Sequence, residues 1–222
     1  MGHITTLQAA DGHEFSAWET EGSHHPYTLV VVQEIFGVNH HIRQVCENFA
    51  KAGFHVIAPA LFDRVKRGVE LDYSAEGVKE GLALRAQIPL AKTLLDIQAA
   101  ASVFKPRKVG IIGYCWGGTL AWEAACKTDD FAAAVGWYGG GIAASRNETP
   151  RCPVQLHFGE QDASIPHTDI AAIRQAHPEV ELYVYDDAGH GFGCPERSSF
   201  NAKAYQEAQE RSVDFLKSNM NP

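Results

Sequence analysis

The feature that most constrains this chain is a regular alternation between short, almost wholly apolar runs and longer segments whose apolar residues recur at helical spacing. Tyr27–Val32, Phe54–Ala58, Val109–Tyr114, Ala132–Tyr138, Val154–Phe158 and Val180–Tyr185 read as strands, most of them covered on both faces. Between and after them, His40–Ala52, Ala75–Ala86, Leu90–Val103, Trp116–Lys127, Thr168–Ala176 and Ala202–Lys217 read as helices; in the first, Ile42, Val45, Phe49 and Ala50 form one face and Gly53 closes it. Strands separated by helices pair in parallel, because only a crossover connection returns the chain to the same end of a sheet. The pattern therefore predicts an α/β fold with a mostly parallel central sheet and helices on both faces. Asp11-Gly12, a favoured turn pair between Ile4–Leu7 and Phe15–Trp18, predicts an opening hairpin.

No repeat, low-complexity tract or Pro/Gly-rich linker interrupts the 222 residues, which suits one domain over 1–222. A formal net charge of −8 without any Lys/Arg cluster argues against a nucleic-acid surface. No run approaches the roughly 18 apolar residues of a membrane span. Met1–Thr6 lacks the basic start and apolar run of a secretory signal, so a cytoplasmic protein is expected, as a monomer or weak homo-oligomer. Five cysteines (46, 115, 126, 152 and 194) make an odd set without Cys-x-x-Cys pairs, as reduced thiols would. The eleven histidines show no His-Glu-x-x-His spacing, and neither a metal nor an organic cofactor is expected.

Chemistry in such a sheet belongs at the carboxyl ends of the strands. One of these ends carries Gly113-Tyr114-Cys115-Trp116-Gly117-Gly118 between a predicted strand and helix. This is the nucleophile-elbow pattern with cysteine in place of serine: the turn is so tight that the positions two before and two after the nucleophile must be nearly free of side chain. With 20 glycines in 222 residues, roughly 0.04 Gly-x-Cys-x-Gly matches arise by chance. The helix beginning at Trp116 also directs its free N–H groups and positive dipole end towards the sulfur. A buried structural cysteine is the plainer alternative. An acid and then a histidine should follow in chain order. Asp162, after the strand ending at Phe158, and His190, between Gly189 and Gly191, meet that order; Glu160, Asp186 and Asp187 are the rival acids.

These segments resemble the dienelactone hydrolase (carboxymethylenebutenolidase) family of α/β-hydrolases. The likeness rests on Val32–Asn39 with its Gln33-Glu34-Ile35-Phe36-Gly37 core, on His41-Ile42-Arg43, Gly113–Gly118, Gly136–Gly139, Leu156–Gly159 with Asp162, and Ala188-Gly189-His190. It implies hydrolysis of a lactone or carboxylic ester through a thioester on Cys115, with His190 as base oriented by Asp162. Glu34 would lie beside the cysteine and help deprotonate it. The backbone N–H groups of Ile35 and Trp116 would form the oxyanion hole, and Phe36 and Tyr138 would border the substrate, while Arg43 would serve as a scaffold or Glu-pairing residue. An enol-lactone suits this chemistry, because its enol leaving group tautomerises to a ketone and cannot re-close the ring. One departure bears on the substrate: where the family places a carboxylate-gripping arginine, four residues after the histidine, this chain has Cys194. Arg197, Arg64 and Arg85 are the arginines left to replace it. The competing functions are a non-catalytic ligand-binding protein on the same scaffold and a thiol redox sensor pairing Cys115 with Cys194.

Overall fold

The computed structural model describes residues 2–22 and 24–220, so the expected domain limits at 1 and 222 lie outside the described residues. Eight strands form one sheet in the order β1-β2-β4-β3-β5-β6-β7-β8. β1 (Gly2–Gln8) and β2 (Glu14–Thr20) make the antiparallel hairpin around Gly12, whose φ of 84° is the left-handed conformation a tight turn needs. β2 also runs antiparallel to β4 (Phe54–Pro59), and every later pairing is parallel, through β3 (Tyr27–Val32), β5 (Val109–Tyr114), β6 (Ala133–Trp137), β7 (Val154–Gly159) and β8 (Glu181–Tyr185). The hairpin strands are longer than their apolar stretches suggested, because ladder pairing carries through the polar residues at both ends.

The helices sit on both faces. α1 (His40–Lys51) packs on β3 and β4, and α6 (Ala202–Asn219) packs on β6 and β7. These two adjoin each other, with Asn48 Nδ2 donating to the Tyr205 hydroxyl at 3.4 Å. Right-handed crossovers put α3 (Leu90–Ser102), α4 (Trp116–Lys127) and α5 (His167–Ala176) on the opposite face. α1 starts cleanly because the Asn39 side chain accepts from the Ile42 N–H, and α2 (Ala75–Arg85) does so because Ser74 accepts from Gly77. The core is contiguous across both faces and includes all of Leu29–Val32. From β3 the chain steps outward to β4 and then returns to the other side of β3 as β5, so sequence order reverses between β3 and β5. A crevice opens at such a switch point, beyond the strand ends that carry Glu34-Ile35 and Cys115.

Residues 61–73, whose sequence carries no clear pattern, pack behind this crevice, with Phe62 stacked on Trp116. A short 3-10 turn, Leu61–Arg64, leads into a strap pinned by Asn39, whose Nδ2 donates to Leu71 O and to the Tyr73 hydroxyl. Tyr73 thereby packs edge-on against Phe36, with ring centroids 4.5 Å apart. Arg43 pairs with Glu70 of the same strap and lies over the Trp18 ring.

Candidate active site

Cys115 stands alone between β5 and α4 with φ 55° and ψ −116°, a conformation that costs a non-glycine residue on the order of 1–3 kcal/mol. The surroundings impose it: the Cys115 N–H donates to Trp137 O on β6 at 2.9 Å, and the Cys115 carbonyl accepts from Gly118 at 3.0 Å inside the helix. The flanking glycines are required by close approach. A Cβ at Gly113 would lie 1.9 Å from Gly117 O, and one at Gly117 would lie 2.3 Å from Val32 O. The elbow is thus wedged between its own helix and the end of β3, which leaves the sulfur partly exposed at the crevice.

His190 reaches that sulfur from the loop after β8, with Nε2 3.2 Å from Sγ. Its Nδ1 donates to Asp162 Oδ2 at 2.7 Å. Asp162, from the loop after β7, is fixed through its other oxygen: Oδ1 accepts from Ser164 Oγ at 2.5 Å and from the Ser164 N–H at 2.9 Å. Burial of the imidazole opposes its charged form, but hydrogen bonds to Asp162 and Cys115 outweigh this and raise its pKa to about 10. For Asp162 burial acts upward, and the His190 and Ser164 contacts overcome it and hold the carboxyl below its usual range. The chain therefore places a thiol, an imidazole and a buried carboxylate in consecutive hydrogen-bond contact. Ser164 went unread in the sequence, although Asp162-Ala163-Ser164 has the spacing of an Asx turn.

Above this line opens a cleft of about 440 Å³ lined by Cys115, His190, Ile35, Phe36, Trp116, Thr119, Ser164 and the α2 residues Val78, Leu82 and Arg85, with Arg197 at its margin. Phe36 lines this cleft. Tyr138 does not: it has no exposed surface and packs its ring edge-on against His190 with centroids 5.3 Å apart. Glu34 also differs from the expected arrangement. Fully buried at the end of β3, it makes no hydrogen bond with Cys115; its Oε2 accepts from the Tyr73 hydroxyl at 2.9 Å, and its Oε1 lies 3.8 Å from Arg197 Nη1. Trp116 is the first residue of α4, so its N–H has no acceptor within the helix. Of the three arginines, Arg64 turns away to pair with Asp96 and Asp11, whereas Arg85 and Arg197 face the cleft. Arg85 has no ion-pair partner among the described residues.

Comparison with known proteins identifies the family. Residues 18–220 match the model of the dienelactone hydrolase family. A Synechocystis sp. protein described as "Putative carboxymethylenebutenolidase" is 36% identical over 203 residues, covering 82% of each chain. The carboxymethylenebutenolidase of Pseudomonas putida is 32% identical over 223 residues, 95% of this chain and 94% of its own. Among solved structures, a "Putative Dienelactone Hydrolase" from Klebsiella pneumoniae superposes with a TM-score of 0.81 at 28% identity, covering 96% of this chain and 98% of that one. The match over nearly the whole length, on an α/β-hydrolase fold with a cysteine elbow, shows that the chain is a hydrolase of the dienelactone hydrolase family.

Proposed function

We propose that the protein hydrolyses lactones or carboxylic esters through a thioester on Cys115, and that its substrate carries a carboxylate. The observation that carries the first part is the chain of contacts from Sγ to His190 Nε2 and from Nδ1 to Asp162, opening onto a cleft. In this mechanism the Cys115 thiolate attacks the carbonyl carbon while the N–H groups of Ile35 and Trp116 stabilise the oxyanion. The protonated His190 gives its Nε2 proton to the leaving oxygen, and the thioester forms as the carbon–oxygen bond breaks. Now neutral, His190 takes a proton from water, whose oxygen attacks the thioester and expels the thiolate. Asp162 keeps the ring oriented throughout and offsets its charge. Glu34, one residue before the oxyanion-hole donor Ile35, would assist ionisation of Cys115 after a shift away from Tyr73.

Support for a carboxylate comes from Arg85 and Arg197, which line the cleft that holds Cys115. Guanidinium groups grip carboxylates through paired hydrogen bonds, and the position taken by Cys194 leaves these two to do so. A dienelactone-like enol-lactone meets both requirements. Five free cysteines fit a cytoplasmic enzyme, which we read as a monomer or weak homo-oligomer acting without nucleic acid. No described helix is long and apolar enough to cross a membrane. A redox pairing of Cys115 with Cys194 has less support, since Cys194 is fully buried and its polar neighbours are Tyr73 and Glu34.

The test compares wild type with Cys115→Ala on 4-nitrophenyl acetate and on lactones with and without a free carboxylate, with intact-mass detection of the acyl-enzyme. Loss of turnover and of the acyl adduct is expected in the variant. Equal turnover by the two proteins would rule out the cysteine mechanism. Arg85→Ala should raise KM about tenfold or more for carboxylated lactones and leave neutral ones unchanged; equal effects on both classes would remove the carboxylate from the proposal.

A further inference from the structure

Beneath the cleft, three side chains from distant segments converge. Glu34 lies two residues past the end of β3, His41 is in the first turn of α1, and Cys194 lies in the loop that also carries His190. One donor atom from each lies within 4.8 Å of the other two, and all three residues are buried, at 0%, 3% and 0% exposure. Two polar atoms in this group have no hydrogen-bond partner: Glu34 Oε1 and His41 Nε2. Leaving such atoms unpaired in a protein interior costs on the order of 1–3 kcal/mol each, so a ligand that satisfies both would bind with that advantage. The Tyr138 hydroxyl is also buried and unpaired.

We propose that Glu34, His41 and Cys194 form a zinc-binding site directly beneath the catalytic cleft. Carboxylate oxygen, imidazole nitrogen and thiolate sulfur are the three donor types that zinc takes in proteins. Three atoms spaced by at most 4.8 Å always share a point no more than about 2.8 Å from each, so side-chain movements of under 1 Å or so reach zinc's bond lengths of roughly 2.0–2.3 Å. The charges balance: a dication with one carboxylate, one thiolate and a neutral imidazole is neutral overall, as a buried site requires. Coordination breaks the Cys194 S–H bond, forms a zinc–sulfur bond and releases the proton to solvent. Arg197 is the competing cation; it lines the cleft, and at 3.8 Å from Glu34 Oε1 it is too far for a hydrogen bond. Zinc held here engages Glu34 and tethers the His190 loop through Cys194. The proposal concerns metal binding and stands independently of the hydrolytic mechanism.

Cys115 and His190 offer zinc a rival pair of ligands, so the experiment uses Cys115→Ala protein. Cobalt(II) serves as the spectroscopic probe and zinc as its competitor. One equivalent of cobalt should give a thiolate-to-metal charge-transfer band with the intense visible bands of a tetrahedral site, and zinc should abolish both. Adding Cys194→Ser should remove the charge-transfer band, His41→Gln should weaken binding at least tenfold, and Arg197→Ala should tighten it. Zinc X-ray absorption on the Cys115→Ala protein, which does not depend on the other variants folding, should show one sulfur neighbour with the rest nitrogen or oxygen. A shell without sulfur, a band confined to proteins retaining Cys115, or a band that survives Cys194→Ser in a folded protein would each overturn the assignment.

Discussion

Replacing Gly81 with alanine sets helix propensity against tertiary packing, and the two act with opposite signs. Gly81 faces inward from α2, where a Cβ would lie 2.0 Å from Ile35 O and 3.0 Å from the Ile35 carbonyl carbon. Both neighbours are backbone atoms, so no rotamer change relieves the overlap. The helix and the loop after β3 must part by about 1.4 Å to reach ordinary contact, an overpacking that costs roughly 1–3 kcal/mol. Propensity alone would stabilise the helix by about 1 kcal/mol. The expected net result is a loss of up to about 2 kcal/mol in urea denaturation. The displaced backbone belongs to the residue whose N–H is assigned to the oxyanion. Removing such a donor outright lowers kcat by about 10²–10³, and displacing it should lower kcat for 4-nitrophenyl acetate by at least about tenfold. Ala83→Gly, at an exposed position of the same helix, is the control: it should cost about 1 kcal/mol and leave kcat unchanged. A Gly81→Ala protein more stable than wild type with unaltered kcat would refute the reasoning, because it would show that α2 does not bear on the Ile35 backbone.

Asp162→Asn should reduce kcat by about 10⁴-fold and return the His190 pKa from about 10 towards the ordinary imidazole value, as followed by NMR titration; an unmoved titration would show that Asp162 does not hold the ring. The same pair defines a pH window for stability. The His190 contribution is complete below its unfolded value of 6.5 and is lost as pH rises through about 10. That of Asp162 is complete above 3.8 and is lost as pH falls through its lower folded value. Melting temperatures should therefore decline at both ends in wild type and less steeply in Asp162→Asn, and parallel profiles would contradict the assignment. Arg64→Ala should destabilise by about 3–5 kcal/mol while sparing turnover, because it leaves the buried Asp96 carboxylate without its two hydrogen bonds from Arg64; denaturation and esterase assays on one preparation decide this.

The layout of the chain was readable before any coordinates. Helix α4 and strands β3 and β5 run over the expected residues, and α2 and α3 end within one residue of expectation. Each is marked by a short-range pattern of side chains, and the first elbow glycine, Gly113, by its contact with Gly117 four residues on. Other features carry no such mark. Nothing near Asp96 identifies it as the partner of Arg64, so Arg64, Arg85 and Arg197 were equivalent until the fold turned the first away from the cleft. Tyr73 holds Glu34 from a strap without periodicity, and Tyr138 packs against His190 although the family resemblance implied contact with substrate.

What the sequence by itself determined is the alternation that gives a parallel sheet, the elbow at Cys115, and the order in which acid and histidine follow it. These depend on backbone sterics and on burial over a few neighbouring residues, which any short stretch of chain expresses locally. Only the tertiary structure decided which charges face the cleft, what holds Glu34, and that Glu34, His41 and Cys194 meet. Those outcomes depend on distances between segments up to 160 residues apart, set by how the strands cross over and by the electrostatics of side chains removed together from water.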